Sequence, residues 1–217
     1  MKAFGAVGDG STDDTAAVQK AIDSGKAVIY FPQASYRLNG TVVVRGNVRR
    51  VIGFSSSFTG AEGKTLFRFE GTRHPVAFER FNFFGGGKLE HANERPVTLR
   101  HSTGPAKQGI VTTGKNRHWF FEDVCTSHFT LPPGTRLHAR QFNCEPEPPG
   151  AGFANDGALV WVLGLPIPGG CRRSRLLVRR EWGGASADVD PPDPRAFGGG
   201  STARTAGRTA RGGNLHR

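Results

Sequence analysis

Cysteine is nearly absent. Cys125, Cys144 and Cys171 are the only three in 217 residues, an odd number with no metal-ligand spacing. That excludes a disulfide framework and a zinc site built on cysteine. The plain reading is buried or incidental thiols, with a Cys125–Cys144 bridge between neighbouring coils as the alternative. No apolar run is long enough to span a bilayer, which argues against a transmembrane segment. There is no phosphate loop, no dinucleotide fingerprint and no Ser-His-Asp order. His91, His101, His118 and His128 are scattered without zinc spacing. Beyond one short N-terminal segment, no stretch carries a helical period.

Glycine and proline are abundant instead, 31 and 14 residues, which favours many turns and few long helices. The net charge is +11, but it is unevenly spread. Residues 171–217 hold ten Arg, no Lys and four acids, or +6, and residues 1–170 supply the other +5. The body is therefore mildly basic, compatible with an acidic polysaccharide partner without demanding one. The sequence divides into a β-rich domain over 1–168 and an Arg/Gly-rich tail over 169–217. The tail reads as a disordered basic arm, as a non-native stretch translated out of frame, or, least favoured, as a nucleic-acid-binding arm. It lacks the interleaved aromatics of a dedicated single-strand binder.

The N-terminus carries the most specific pattern, Phe4-Gly5-Ala6-Val7-Gly8-Asp9-Gly10-Ser11-Thr12-Asp13-Asp14-Thr15. It predicts a turn and then a helix over 13–23, capped by Ser11 or Thr12, with Asp13 and Asp14 favoured in its first turn by the helix dipole. Ala17, Val18, Ala21 and Ile22 form one apolar stripe, and Gly25 ends the helix. Further on, β-prone runs begin at Val76, Val97, Trp119, Leu137 and Leu159, at intervals of 21, 22, 18 and 22 residues. A near-constant interval of this size is the signature of a solenoid. Alternation places Phe67, Phe69, Leu137 and Ala139 inside, and Arg68, Glu70, His138 and Arg140 outside.

The N-terminal pattern, continued by Val28-Ile29-Tyr30-Phe31-Pro32 and Tyr36-Arg37-Leu38, resembles the opening motif of the pectate-lyase superfamily, which includes proteins related to family 28 glycoside hydrolases and phage tailspikes. The segments Phe121–Val124, His138–Gln141 and Asn155–Leu165 look like late coils of the same superfamily. The resemblance implies an all-β, right-handed parallel β-helix of roughly five to seven coils with a helix closing its N-terminal end. It also implies a carbohydrate-active protein that acts on or binds polysaccharide, with calcium as a cofactor if it is a lyase. Superfamily members are commonly exported. The absence of a legible leader leaves either an intracellular protein or a true start upstream of Met1.

The hydrolase motifs of family 28 (Asn-Thr-Asp, Asp-Asp, Gly-His-Gly and Arg-x-Lys) do not occur in the β-rich body. Hydrolysis by that mechanism is therefore not expected, and the chain reads as a truncated or inactive relative or as a non-catalytic binding module. Lyases of this type need a basic residue beside a uronate carboxylate, which singles out Arg140 as base and clamp, with His138 on the same strand face. Glu122 and Asp123 are the best acidic candidates, although neighbours in a strand face opposite ways. His101 and His118 flank strand runs and could line one substrate groove. Asn155-Asp156-Gly157 reads first as a tight turn. The solenoid is expected to end near Leu165.

Overall fold

A computed structural model describes residues 1–71, 74–104, 109–113, 117–127, 129–145 and 153–164, and the backbone of one more strand at 177–179. His128, Leu165, Cys171 and most of the predicted tail lie outside the described residues. A 3₁₀ turn (Lys2–Phe4) leads into β1 (Asp9–Asp13) and α1 (Thr15–Ile22). Three short strands follow: β2 (Val28–Phe31), β3 (Ser35–Leu38) and β4 (Val42–Val44). Long and short strands then alternate: β5 (Arg50–Gly60), β6 (Thr65–Phe69), β7 (Val76–Gly85), β8 (Lys88–His91), β9 (Val97–Thr103) and β10 (Ile110–Thr112). The series closes with β11 (Arg117–Thr126), β12 (Phe129–Leu131), β13 (Thr135–Cys144), β14 (Phe153–Asp156), β15 (Leu159–Leu163) and β16 (Leu177–Arg179).

Every strand pairs in parallel with the equivalent strand of the next coil. One sheet runs β1-β3-β5-β7-β9-β11-β13-β15 with β2 beside β5, and the other runs β4-β6-β8-β10-β12-β14-β16. Seven strands in the second sheet make six successive turns of a parallel β-solenoid. The first three intervals read from the sequence are its coil lengths, and the last coil is one residue longer than the interval of 22. Val76 pairs with Val97, Val97 with Trp119, Trp119 with Leu137, and Leu137 with Val160. β16 pairs with β14 through Ala154 and Leu177, so the second sheet continues past residue 165.

Inside, an unbroken chain of ring contacts runs up the solenoid. It passes from Phe31 through Phe58, Phe67, Phe78, Phe69, Trp119, Phe121, Phe129 and Phe142 to Phe153, with centroids 4.8 to 6.2 Å apart. Such contacts add about 0.5–1.5 kcal/mol each beyond simple burial. The expected alternation holds: Phe67, Phe69, Leu137 and Ala139 are buried.

Each long strand from β5 to β13 contains one non-glycine residue with positive φ: Ser55 (51°), Arg80 (63°), His101 (46°), Asp123 (52°) and Gln141 (52°). From Arg80 onward these residues stack in register, because Arg100 pairs with Glu79 and Glu122, and Glu122 with Arg140. The left-handed conformation costs an L-residue about 1–2 kcal/mol, and here it turns a corner in the middle of the strand. In the first coil the same place is the break between β2 and β3 at Pro32, since β2 and β3 pair with the two halves of β5. Every coil thus presents two outer faces with a polar corner between them.

The N-terminal motif closes the first coil, with atomic roles that differ from those expected. The helix is shorter than 13–23, and its N-cap is Asp14, which makes no side-chain capping bond. Thr12 lies in β1, so neither Ser11 nor Thr12 caps the helix. The Asp14 carboxylate is buried and accepts N–H groups from Val7 (2.7 Å) and Gly8 (3.0 Å). Asp13 accepts the amides of Thr15 (3.0 Å) and Asn39 (3.2 Å). Gln19 acts as a substitute strand: its Oε1 accepts Val43 N–H (2.7 Å) and its Nε2 donates to Val43 O (3.1 Å). That blocks the open edge of β4, a feature that would otherwise template further pairing. The apolar stripe Ala17, Val18, Ala21 and Ile22 is buried beneath.

Candidate functional site

On the outer face before the corner, strand register builds two adjacent columns of side chains. The first is Thr98, Phe120, His138 and Trp161, each paired with the next across neighbouring coils. The Phe120 and His138 rings stack with centroids 5.4 Å apart and planes 12° apart, and His138 lies 6.4 Å from Trp161. Trp161 is 55% exposed, unusual for so large a ring, so the column is an open aromatic platform.

The second column alternates in charge: Glu79, Arg100, Glu122 and Arg140, with Arg50 also reaching Glu79. Arg50 Nη2 lies 2.6 Å from Glu79, Arg100 lies 3.4 Å from Glu79 and 3.0 Å from Glu122, and Arg140 bonds the other oxygen of Glu122. Glu79 is the buried member of the ladder, with an arginine on each side. Arg100 is shared between two acids, whereas Arg140 has Glu122 on one side and Leu163 on the other. A guanidinium carries five N–H donors, so Arg140 keeps donors facing solvent. Together the columns line a shallow groove of about 250 Å³ that includes Arg100, Phe120, Glu122, His138, Arg140 and Trp161.

Three of the sequence candidates, Glu122, His138 and Arg140, therefore meet in one groove. Asp123 does not join them. Its positive φ carries it onto the corner, so it is exposed beside Glu122 rather than turned to the opposite face of a flat strand. His101 sits on the same corner, where its Nδ1 donates to Asp123 Oδ2 at 3.1 Å. His101 and His118 do not share a groove. His118 pairs in register with Arg136, two residues before the aromatic column. Burial first, then Arg136 and His138, hold the His118 imidazole below its ordinary range. Cys125 and Cys144 lie one register position apart, and no disulfide joins them, so the expected alternative bridge does not form. Burial, then the nearby Glu145 carboxylate, hold the Cys125 thiol up.

The sequence reading missed Arg100, Phe120 and Trp161. The signal was present in the coil intervals, because Phe120, His138 and Trp161 coincide once the coils are laid in register. Asn155 closes the expected turn, its side chain exchanging two hydrogen bonds with the backbone of Ala158. Among the described residues, no group of three or more His, Cys, Asp and Glu gathers to hold a metal ion. Glu79 and Glu122 are already bonded to arginines, so this groove does not fit calcium. No helix among the described residues is long and apolar enough to cross a membrane.

Comparison with known proteins finds a family match at the N-terminus and short matches to curated proteins. A family model described as rhamnogalacturonase A/epimerase, pectate lyase-like, matches residues 1–66. Mannuronan C5-epimerase AlgE3 of Azotobacter vinelandii is 50% identical over 44 residues, which make 18% of this chain and 2% of that one. Alginate lyase 7 of the same organism is 41% identical over 59 residues, 22% of this chain and 7% of that one. The matched part is thus a small fraction of those relatives. Among solved structures, ORF18 of Geobacillus virus E2 aligns over 76% of this chain and 47% of that one, with a TM-score of 0.44 and 16% identity. The motif at the N-terminus and the parallel coils that follow it make this chain a pectate-lyase-like parallel β-helix protein.

Proposed function

We propose that the outer face of β9, β11, β13 and β15 binds an acidic polysaccharide, and that the chain binds glycan without cleaving it. The observation that carries this reading is the Phe120–His138–Trp161 column lying beside Arg140. Aromatic faces present apolar surface to the C–H faces of sugar rings, and a guanidinium matches a carboxylate in planar geometry. Successive rings of the column lie one coil apart, with centroids separated by 5.4 and 6.4 Å, so a glycan lying along the solenoid axis meets one ring per coil. The relatives named for mannuronan and alginate support a polysaccharide ligand. The likeness covers 18% and 22% of this chain and 2% and 7% of those proteins, so their chemistry does not travel with it.

Arg140 acts in this reading as a clamp, held in place by Glu122. Titration calorimetry with tetragalacturonate and tetramannuronate tests the proposal. Trp161→Ala weakens binding about tenfold, and Arg140→Gln removes the preference for uronate over a neutral tetrasaccharide. Affinities unchanged in both variants would refute the site. Polygalacturonate and alginate show no rise in the ultraviolet absorbance of unsaturated products. Robust turnover abolished by Arg140→Ala or Glu122→Gln would replace binding with lyase chemistry.

A further inference from the structure

Across the corner from the aromatic groove lies a second concavity, of about 310 Å³, with opposite chemistry. Its rim is the His101–Asp123 pair on the corner, and its floor is the outward row Asn82, Thr103, Cys125 and Asn143, paired coil to coil. A carboxylate only accepts, so the 3.1 Å contact fixes the proton on His101 Nδ1 and leaves Nε2 as an acceptor in the neutral ring. The Thr103 hydroxyl donates to Asn82 Oδ1 at 3.2 Å, which commits the amide oxygen and leaves its NH₂ as donor. Among the described residues, Asn82 Nδ2, Asp123 Oδ1 and His101 Nε2 have no protein partner.

The trough therefore offers one two-proton donor and two acceptors, one of which is an oxygen of the anionic Asp123 carboxylate. An apolar ligand would leave all three unsatisfied, at a cost of about 1–3 kcal/mol for each group it buries. An anionic ligand would face Asp123 directly. A hydroxyl both donates and accepts, so adjacent hydroxyls of an uncharged ring satisfy all three. The volume is at the small end of ligand sites, which run from about 300 Å³ upward, and suits one sugar unit. Cysteine chemistry is disfavoured here, since burial and Glu145 keep the Cys125 thiol from ionising readily.

We infer that this corner trough is a second glycan subsite, one that takes the hydroxyl edge of an uncharged sugar through Asp123, His101 and Asn82. It goes beyond the acidic-glycan face, because two troughs of opposite preference on the same three strands suit a glycan that mixes charged and uncharged units. The test titrates neutral tetrasaccharides of glucose, galactose and mannose, and tetragalacturonate, against the full chain, Asp123→Asn, Asn82→Leu and Trp161→Ala. Asparagine tolerates positive φ, so Asp123→Asn keeps the corner. At least one neutral probe binds the wild type, and Asp123→Asn and Asn82→Leu each weaken it about tenfold, as expected for a lost hydrogen bond to a charged or buried group. Tetragalacturonate binding stays within about twofold in those two variants and falls in Trp161→Ala. Absence of binding by all three neutral probes overturns the subsite, as does a loss in Asp123→Asn that strikes neutral and acidic probes alike. Failure of the acidic-glycan face is read separately, from Trp161→Ala against tetragalacturonate.

Discussion

Acidification should weaken this fold through one buried histidine. His91, at the end of β8, is completely buried against the Trp119 ring (centroids 4.8 Å apart), and its Nε2 bonds Arg95 O at 2.5 Å. A carbonyl only accepts, so Nε2 carries the proton of the neutral ring and Nδ1 presents a lone pair. Nδ1 is buried without a hydrogen-bond partner, so a second proton there has no acceptor. Burial, and then the charges of Arg117 and His118, push His91 down from 6.5 to about 4, outweighing the bond to Arg95 O. The unfolded chain takes up the proton near its ordinary value while the folded chain refuses it. Stability is therefore full above about pH 6.5, falls as pH drops below it, and levels off below about pH 4. At about 1.4 kcal/mol per pH unit the total loss is roughly 3 kcal/mol, of which about 2 kcal/mol is already gone at pH 5. Guanidinium denaturation of the wild type and of His91→Phe at pH 7 and pH 5 isolates this contribution. The variant keeps the ring against Trp119, and its loss of the Arg95 bond is independent of pH. The difference between the two proteins should shift by about 2 kcal/mol in favour of the variant at pH 5. Parallel pH dependences would show that His91 does not titrate between the folded and unfolded states, and the argument would fall.

Gln19→Ala should lower stability by about 1–3 kcal/mol, because both of its bonds to the Val43 backbone vanish and the β4 edge opens. Faster hydrogen exchange at the Val43 amide distinguishes this from a simple loss of helix. The double variant Arg50→Ala/Arg100→Ala should cost about 3–5 kcal/mol, above the roughly 0–2 kcal/mol of two surface ion pairs, because it strands the Glu79 carboxylate below the surface. Adding Glu79→Gln to that double variant should restore most of the loss, as read from melting temperatures.

The sequence exposed the coils more readily than the faces between them. Val76, Val97, Trp119 and Leu137 stand out because each opens a run of inward apolar residues, and burial forces their intervals to equal the coil lengths. His138 and Arg140 were placeable on one outward face for the same reason, since Leu137 and Ala139 must point in. Lateral neighbours are different. Phe120 and Trp161 look like members of apolar runs, and only pairing across coils of unequal length shows that they flank His138. The corner was harder still. No glycine marks it, and His101 and Asp123 adopt positive φ within strands whose sequence reads as continuous. A flat-strand rule then sends Glu122 and Asp123 to opposite faces, when the bend in fact leaves both outward, one in each trough.

The N-terminal motif shows why the likeness carries the fold and leaves activity to be argued from the site. Its acids and amide look like chemistry, yet in the structure each is used by the backbone: Asp14 by Val7 and Gly8, Asp13 by Thr15 and Asn39, and Gln19 by Val43. A solenoid has one open end at its first coil, and any chain of this architecture must satisfy the same exposed amides there. The motif answers that requirement, which depends on the parallel coils and not on what the outer faces bind. The groove and the corner trough are built from β7 to β15, beyond residues 1–66, and their side chains are set by neither the cap nor the core. What this chain binds is therefore decided by the outward columns, and the variants at Trp161, Arg140 and Asp123 are where that decision is read.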